Sequence, residues 1–256
     1  MTVLGKSPAW ADAGGACSGY LVESGDTCVL LDCGPGVLGK LREVRDYASV
    51  DAIVLSHLHA DHMLDIVPYA SALIYGPRWA GDRDGRPRPV LHAPPGSRDA
   101  FTVVCEGSGM FGNHVEDAFD LREYDPGQTL KIGPLTVRFR PVPHFVPAQA
   151  VELADGDGRL TFSSDCGPNV DLCDFARDTD LLLIEASVTE EDAAQGGERG
   201  HLTPREAGEH GRRAGARRVV LTHVTDELDP EVVLEQAAAA YGAPVELAAE
   251  LAMYEV

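Results

Sequence analysis

The six residues His-Leu-His-Ala-Asp-His, beginning at position 57, constrain the fold of this chain more than any other stretch. They follow the apolar run 52–55, whose length and β-branched content predict a buried strand. Alternate side chains of an extended backbone project to the same side, so His57 and His59 should face one point. Asp61 and His62 follow where a helix is about to start and can point back toward it. Imidazole and carboxylate ligands suit zinc and neighbouring metals, so the segment predicts a metal site; a surface histidine cluster is the alternative.

Three further residues of the same chemical types come later in the chain. His144, Asp165 and His223 each stand at or just after the end of a strand-like apolar segment. The pattern H-x-H-x-D-H after a strand, followed by these three residues, resembles the metallo-β-lactamase fold family of hydrolases, and the resemblance covers nearly the whole chain. The resemblance implies one metal bound by His57, His59 and His144, a second bound by Asp61, His62 and His223, and Asp165 bridging the two.

The order of predicted elements agrees with this family. Two strand-rich halves with flanking helices predict an α/β chain, an αββα four-layer sandwich of the metallo-β-lactamase type. The first half is predicted to hold a hairpin turning at Gly25-Asp26, strands near 52–55 and 90–92, and a less regular end near 123; the second half strands near 129–140, 148–153, 159–164 and 181–186, with helices near 171–177, 204–214 and 230–240. Because the expected ligands run from residue 57 to residue 223, no internal cut leaves a complete site on one side. We therefore predict one hydrolase domain over residues 1–256.

The formal charge of −20 bears on the choice of partner. Proteins that bind nucleic acid normally show a basic face, so a nucleic-acid partner is disfavoured. The main basic cluster lies in a Gly/Pro/Asp-rich loop and comprises Arg78, Arg83, Arg86 and Arg88. It is either a solvated loop, which we favour, or a pocket mouth that meets a phosphate.

No apolar stretch of the sequence is long enough for a membrane span, and the start lacks a basic region followed by an apolar one. We therefore expect no membrane association and a cytoplasmic protein. The six cysteines form no C-x-x-C pair, and several lie in or beside apolar strands, which favours reduced, buried thiols. The oligomeric state stays open, with a homodimer as the commonest outcome for such proteins.

A second group of residues narrows the chemistry. The buried strand 181–184 leads into Glu185, and His201 follows sixteen residues later. Thr203 and Glu206 form a predicted capping box that anchors the next helix just after His201. A strand-end glutamate with a following histidine and a capped helix resembles the phosphodiesterase branch of the family, which includes tRNase Z and bacterial cyclic-nucleotide phosphodiesterases. In that branch the histidine is not a metal ligand; it handles a proton or charge at the leaving oxygen, oriented by the acid.

The resemblance implies a hydrolase with two divalent ions, zinc by preference, although manganese and iron accept the same ligands. We expect a hydroxide shared by the metals to attack the phosphorus of a small phosphodiester, with cyclic nucleotides such as cyclic AMP as substrates. His201 and Glu185 are the expected catalytic residues, and Asp61 is assigned a catalytic as well as a metal-binding role.

Two alternatives remain. A tRNA 3′-processing endonuclease of the tRNase Z type is the runner-up, although that enzyme usually carries a basic, glycine-rich arm. Only twenty residues separate His144 from Asp165, and a predicted strand pair fills them. A non-catalytic metal-dependent ligand sensor is the third hypothesis, and the Glu185/His201 pair argues against it because a sensor needs no leaving-group acid.

Four other polar residues support more modest expectations. His92 is expected to pack in a strand, and His210 to lie solvated on the capped helix. His114 follows a glycine-rich loop and is a candidate substrate contact. Asp32 ends a buried strand and is a candidate for orienting a ligand histidine, with a strand-end cap as the alternative.

Overall fold

The computed structural model describes residues 1–79, 85, 87–196 and 199–256, which build two sheets. The strands of the first sheet are β1 (Thr2–Gly5), β2 (Gly19–Ser24), β3 (Thr27–Leu31), β4 (Ala52–Val54), β5 (Val90–Ala93) and β6 (Asp120–Glu123). Their order in space is their order in sequence. β1, β2 and β3 pair antiparallel, and β3 to β6 pair parallel. Parallel neighbours need long crossover connections, and helices occupy these connections.

The second sheet has seven strands in the described ranges. They are β7 (Leu130–Ile132), β8 (Leu135–Val142), β9 (Ala148–Ala154), β10 (Arg159–Phe162), β11 (Leu181–Glu185), β12 (Arg218–Thr222) and β13 (Glu246–Leu247). Their spatial order is β13-β12-β11-β10-β9-β8-β7. β7 to β10 form an antiparallel meander, and β10 to β13 run parallel, with Glu185 at the end of β11 paired with Thr222 at the end of β12.

The two sheets pack face to face, and the side chains of their central strands alternate between two cores. Along β3, Val29 and Leu31 belong to the core between the sheets, whereas Cys28 and Leu30 pack beneath helices. The same alternation occurs along residues 181–184 of β11, which explains why the buried stretches of both strands are apolar. The rings of Tyr20 and Phe162, one from each sheet, lie 5.2 Å apart in the inter-sheet core.

Helices cover both outer faces. The helices on the first half are α1 (Val37–Val44), α2 (Ala60–Met63), α3 (Ile66–Tyr75), α4 (Ser97–Gly107) and α5 (His114–Ala118); those on the second half are α6 (Val170–Phe175), α7 (Glu190–Ala194), α8 (Pro204–Ala214) and α9 (Pro230–Tyr241). Residues of α1, α3, α4 and α5 share a core with the first sheet, and residues of α6, α8 and α9 share a core with the second. The predicted αββα layering is confirmed.

Several details differ from the sequence-based expectation. The predicted strand near 129–140 is the hairpin β7–β8, which turns at Gly133. The irregular end of the first half contains α5 and β6, and β1 and β13 add an edge strand to each sheet.

All six cysteines are free and buried, as predicted. No helix in the described part of the chain combines the length and apolarity that crossing a membrane requires. The extent of one domain over residues 1–256 stays a prediction.

Candidate metal centre and active site

The predicted site residues meet at one edge of the sandwich, where strands from both sheets end. The segment after β4 carries His57 and His59, and α2 carries Asp61 and His62. The carboxyl ends of parallel strands lie at the same edge of a sheet, so the loops after β10, β11 and β12 also converge there. The structure thus brings together all the residues of the predicted metal centre.

The first donor group contains His57, His59, His144 and Asp165, whose potential ligand atoms all lie within 4.8 Å of one another. The Nε2 atoms of His57 and His144 each lie 3.8 Å from Asp165 Oδ2. His144 Nε2 and His59 Nδ1 are 3.0 Å apart. Four donors converging at this spacing form a cradle of the size that a first-row metal ion requires.

The second donor group contains Asp61, His62, His223 and again Asp165, under the same distance limit. His223 Nε2 lies 3.1 Å from Asp61 Oδ2 and 3.4 Å from Asp165 Oδ2. His62 Nε2 lies 3.3 Å from Asp165 Oδ1. Asp165 is the member common to both groups, so its two carboxylate oxygens can serve two neighbouring ions.

Unsatisfied buried atoms test whether these donors fit a metal. His57 Nε2, His62 Nε2 and Asp165 Oδ1 are buried and have no hydrogen-bond partner among the described residues. Buried polar atoms are nearly always paired in folded proteins, so three such atoms facing one point need another ligand. A cluster of this composition indicates divalent metal binding.

The charges within the cluster reinforce this interpretation. Burial alone would raise the pKa of Asp165, but the surrounding imidazoles of His223 and His62 hold it well below its usual range. Burial alone would lower the pKa of His62, but the carboxylates of Asp165 and Asp32 raise it well above the usual value. In the metal-free protein, His62 therefore holds a proton that a bound metal ion would displace.

Asp32 orients His62 from behind. Its Oδ2 accepts a hydrogen bond from His62 Nδ1 at 2.7 Å, and its Oδ1 accepts one from the Ser56 backbone N–H at 2.7 Å. The Ser56 hydroxyl donates a third bond to Oδ2, also at 2.7 Å. This is the orienting contact expected from the sequence, and it leaves His62 Nε2 facing the cluster.

Three other ligand histidines also have a fixed second nitrogen. His144 Nδ1 bonds the Gly200 carbonyl at 2.8 Å. His57 Nδ1 lies 3.1 Å from Ser56 Oγ, and His223 Nδ1 lies 3.1 Å from Ser187 Oγ. The sequence reasoning missed these serines. Ser56 directly precedes His57 in the sequence but has no distinctive spacing, and only the fold brings the Ser187 hydroxyl to His223.

Backbone conformation also marks the site. Asp32, Ser164 and His223 have φ values of 58°, 57° and 57°, in the left-handed region that non-glycine residues seldom adopt. Each stands just past the end of a strand, where the chain turns sharply toward the cluster. Residues held in such conformations concentrate at functional sites.

Glu185 and His201 form a pair beside the second donor group. Glu185 Oε1 accepts a hydrogen bond from His201 Nδ1 at 2.9 Å, and the His201 ring stacks 5.6 Å from that of His223. Burial alone would lower the pKa of His201, but the bond to Glu185 raises it to about 9. The capping box between Thr203 and Glu206 is present, as predicted, and anchors α8 just after His201.

The same pair is close enough to His223 to form a third potential metal-binding group. The contacts of Glu185 argue against that use. Its Oε1 also accepts from the Cys166 N–H at 2.8 Å, and its Oε2 accepts from Ser187 Oγ at 2.5 Å and from the Leu202 N–H at 3.2 Å. A carboxylate with both oxygens occupied in this way is suited to holding an imidazole in place.

Other singled-out histidines lie elsewhere. His114 is buried beside α3, where Nε2 lies 2.9 Å from Ser71 Oγ and the ring stacks on Tyr75. His92 is buried in β5, as expected. The expectation of a solvated His210 was wrong: this side chain is buried, with Nδ1 bonding the Glu206 carbonyl at 2.7 Å. It lies on the face of α8 that packs against the protein.

The basic loop shows structural contacts in its described part. Arg78 pairs with Asp46 and lies over the Tyr47 ring, and Arg88 donates to the Phe119 carbonyl at 3.0 Å. These contacts favour the solvated-loop interpretation for both residues. The remaining two members of the predicted cluster, Arg83 and Arg86, lie outside the described residues.

Comparison with known proteins agrees with the geometry. The model of the beta-lactamase superfamily domain matches residues 27–224. The probable metallo-hydrolase YhfI of Bacillus subtilis is 32% identical over 224 residues, which covers 88% of this chain and 86% of YhfI. The crystal structure of YhfI, a metallo-beta-lactamase fold protein, aligns with a TM-score of 0.85 at 27% identity, covering 98% of this chain and 96% of that one.

Two further similarities extend the comparison. Ribonuclease Z of Myxococcus xanthus is 28% identical over 298 residues, covering 97% of this chain and 94% of the relative. A diphosphatase of the PhnP family aligns with a TM-score of 0.72 at 18% identity, covering 98% of this chain and 94% of that one, which shows a shared fold.

Proposed function

This chain belongs to the beta-lactamase superfamily and is a metallo-hydrolase, and from that premise we propose that it is a phosphodiesterase using two divalent ions. The proposed ligands are His57, His59 and His144 for one ion, Asp61, His62 and His223 for the other, and Asp165 for both. Zinc is the proposed metal, because imidazole-rich sites of this kind suit it. Cyclic nucleotides such as cyclic AMP are the proposed substrates.

The observation that carries the proposal is the Glu185–His201 pair beside the metal cluster. Hydrolysis of a phosphodiester expels a sugar oxygen, which leaves more easily when it receives a proton. His201 Nδ1 is engaged by Glu185, so the proton on Nε2 is the one that the ring can give away. The side chain is 24% exposed, which keeps this nitrogen accessible to a substrate. Such general-acid help contributes about 10²–10⁴-fold to the rate.

The ions and the protein would divide the work. Bound at the two donor groups, divalent ions would lower the pKa of a water molecule and neutralise charge on the phosphoryl oxygens. Asp165 would fix their separation, since its oxygens face both groups. Glu185 would keep His201 aligned, and its negative charge would favour the protonated ring before transfer. The positive charge of the ions would lower the pKa of His201 from its metal-free value, toward the range in which proton transfer is efficient.

The features around the site favour a small substrate. The net charge of −20 opposes the binding of a long polyanion. The segment between His144 and Asp165 is taken up by β9 and β10 and their short connections, which leaves no room there for a protruding arm. We therefore propose a small phosphodiester and no nucleic-acid partner.

The similarity to ribonuclease Z supports a second candidate, a tRNA 3′-processing endonuclease. The same metal cluster and the same Glu185–His201 pair could serve that reaction. The acidic charge argues against it, because binding of a large RNA draws much of its affinity from cationic contacts. Cleavage of precursor tRNA at a higher rate than the hydrolysis of cyclic AMP would favour this candidate.

The test is hydrolysis of 3′,5′-cyclic AMP by zinc-loaded protein, followed by chromatography, with metal content measured on the same samples. We expect the wild type to turn over substrate with two ions per chain. His201→Ala should keep both ions and lose about 10²–10⁴-fold in kcat. Asp165→Ala should lose activity together with bound metal. Asp157→Ala, an exposed aspartate in the β9–β10 turn, is the matched control and should behave as the wild type.

The outcomes separate the three hypotheses. No turnover of cyclic AMP by protein with both ions bound removes this substrate and directs the assay to 2′,3′-cyclic nucleotides and precursor tRNA. Tight nucleotide binding without hydrolysis of any phosphodiester supports a ligand sensor. Equal kcat in the wild type and His201→Ala rules out the role proposed for His201.

A further inference from the structure

Phe145 is an exposed aromatic side chain at the rim of the metal cluster. Phe145 directly follows the proposed ligand His144 in the sequence, and it is 62% exposed. Its ring centroid lies 5.2 Å from that of His144 and 5.9 Å from that of His201. The plane of the Phe145 ring is tilted by 49° from that of His144 and by 60° from that of His201. The rest of the ring is open to solvent beside the groups that would hold and protonate the phosphodiester.

The position of Phe145 is fixed by the loops around it. His144 Nδ1 is bonded to the Gly200 carbonyl, which ties the loop after β8 to the loop before α8. A Cβ atom at Gly200 would lie 2.8 Å from both His144 Nδ1 and Phe145 Cε2, so glycine permits this close approach. The Gly167 N–H also bonds the Pro143 carbonyl at 2.7 Å. A large apolar ring is thereby kept in water, where burial by a ligand would be favourable.

We propose that Phe145 is the stacking surface for the nucleobase of the substrate. The inference rests on the proposed function and deepens it, because it assigns a residue to recognition of the base. An aromatic side chain can stack on any nucleobase, because every base has a π face and stacking needs no hydrogen-bond selection.

The charge of the protein makes such a contact more important. A net charge of −20 repels an anionic nucleotide at long range, so short-range contacts must supply the recognition. Base–aromatic stacking measured by alanine substitution corresponds to roughly 5- to 150-fold in affinity. Loss of the ring should therefore raise KM for a nucleotide by about that factor and leave kcat nearly unchanged.

The experiment compares 5′-AMP with ribose 5-phosphate, which lacks the base, by calorimetry on zinc-loaded full-length protein. The wild type should bind 5′-AMP more tightly than ribose 5-phosphate. The affinity of Phe145→Ala for 5′-AMP should be roughly 5- to 150-fold lower than that of the wild type, and its affinity for ribose 5-phosphate should be unchanged. Phe145→Tyr should restore the difference. Phe111→Ala is the matched control, since Phe111 is 80% exposed and lies between α4 and α5.

Each result has one meaning. Preference for 5′-AMP that is equal in the wild type and Phe145→Ala overturns the stacking role and leaves the phosphodiesterase proposal standing. Equal loss of both ligands in Phe145→Ala also overturns it, because the damage is then not specific to the base. No nucleotide binding and no cyclic AMP hydrolysis by the wild type overturns the proposed function and this inference with it. Restoration of the preference for 5′-AMP by Phe145→Tyr supports the stacking role.

Discussion

Substituting Asp32 by asparagine should weaken metal binding although residue 32 itself touches no ion. Asparagine keeps the shape of the side chain and tolerates the left-handed φ of 58° at this position, so the fold should survive. The amide oxygen can replace Oδ1 and accept from the Ser56 N–H. The amide NH₂ then replaces Oδ2 and faces His62 Nδ1 with a donor where an acceptor had been.

The consequence for His62 can be derived from its two nitrogens. To accept from the amide, Nδ1 must lose its proton, and the neutral ring then carries its proton on Nε2. Nε2 is the nitrogen that faces Asp165 and Asp61, so the favoured tautomer opposes coordination. Loss of such supporting contacts typically costs 10- to 100-fold in metal affinity, or about 1.4–2.8 kcal/mol.

The assay is competition between the protein and a chromophoric chelator for zinc, at fixed pH. Asp155→Asn is the matched control, because Asp155 also accepts three hydrogen bonds, from Ser24 Oγ and from the N–H groups of Asp157 and Gly158, but in the β9–β10 turn. Circular dichroism and thermal unfolding in chelator should confirm that both variants fold. Zinc affinity of Asp32→Asn within twofold of the wild type would refute the tautomer argument.

Other predictions concern the same edge of the sandwich and the thiols. With zinc in excess, Ser187→Ala should lower kcat by about tenfold, measured with cyclic AMP, because its hydroxyl supports both Glu185 and His223; unchanged kcat would count against this role. Zinc affinity should fall as pH drops from 8 to 6, since His62 holds a proton that must leave, and calorimetry in two buffers of different ionisation enthalpy should show proton release. Burial raises the pKa of Cys17 to about 12 and that of Cys28 to about 11, so a thiol reagent should label the folded protein slowly and all six cysteines in denaturant; rapid labelling of either residue in the folded state would contradict the burial.

The strands that could be predicted are those whose apolar composition matches their buried position in the sheet. The central residues of β3, β4, β11 and β12 are apolar because these strands are buried on both faces, and such apolar runs are evident in a sequence. β6 reads Asp-Leu-Arg-Glu and lies at the edge of its sheet, where only Leu121 is buried. Its pairing with β5 supplies the structure that its composition does not indicate, which is why it was missed.

His210 shows a different limit. α8 is rich in charge, and that composition led to the expectation of a solvated histidine. The spacing of residues along α8 predicts burial better than its composition does. Ala207, His210 and Ala214 follow one another at intervals of three and four residues and lie on the buried face of the helix. Position on the helix, not overall composition, decided the burial. The contacts of Ser187 could not be anticipated in either way, since they depend on loops that meet only in the folded chain.

The candidate metal centre draws its donors from both sheets, and this has a mechanical consequence. His57, His59, Asp61 and His62 come from the half that ends with β6, and His144, Asp165 and His223 from the half that begins with β7. An ion held by both sets would clamp the two halves at one end of their shared core. A chain cut between residues 124 and 129 would yield two fragments, neither with a full donor set, and zinc should promote their reassembly. The stability of the folded protein would then depend on the concentration of available metal ions, because bound ions would hold the two halves together.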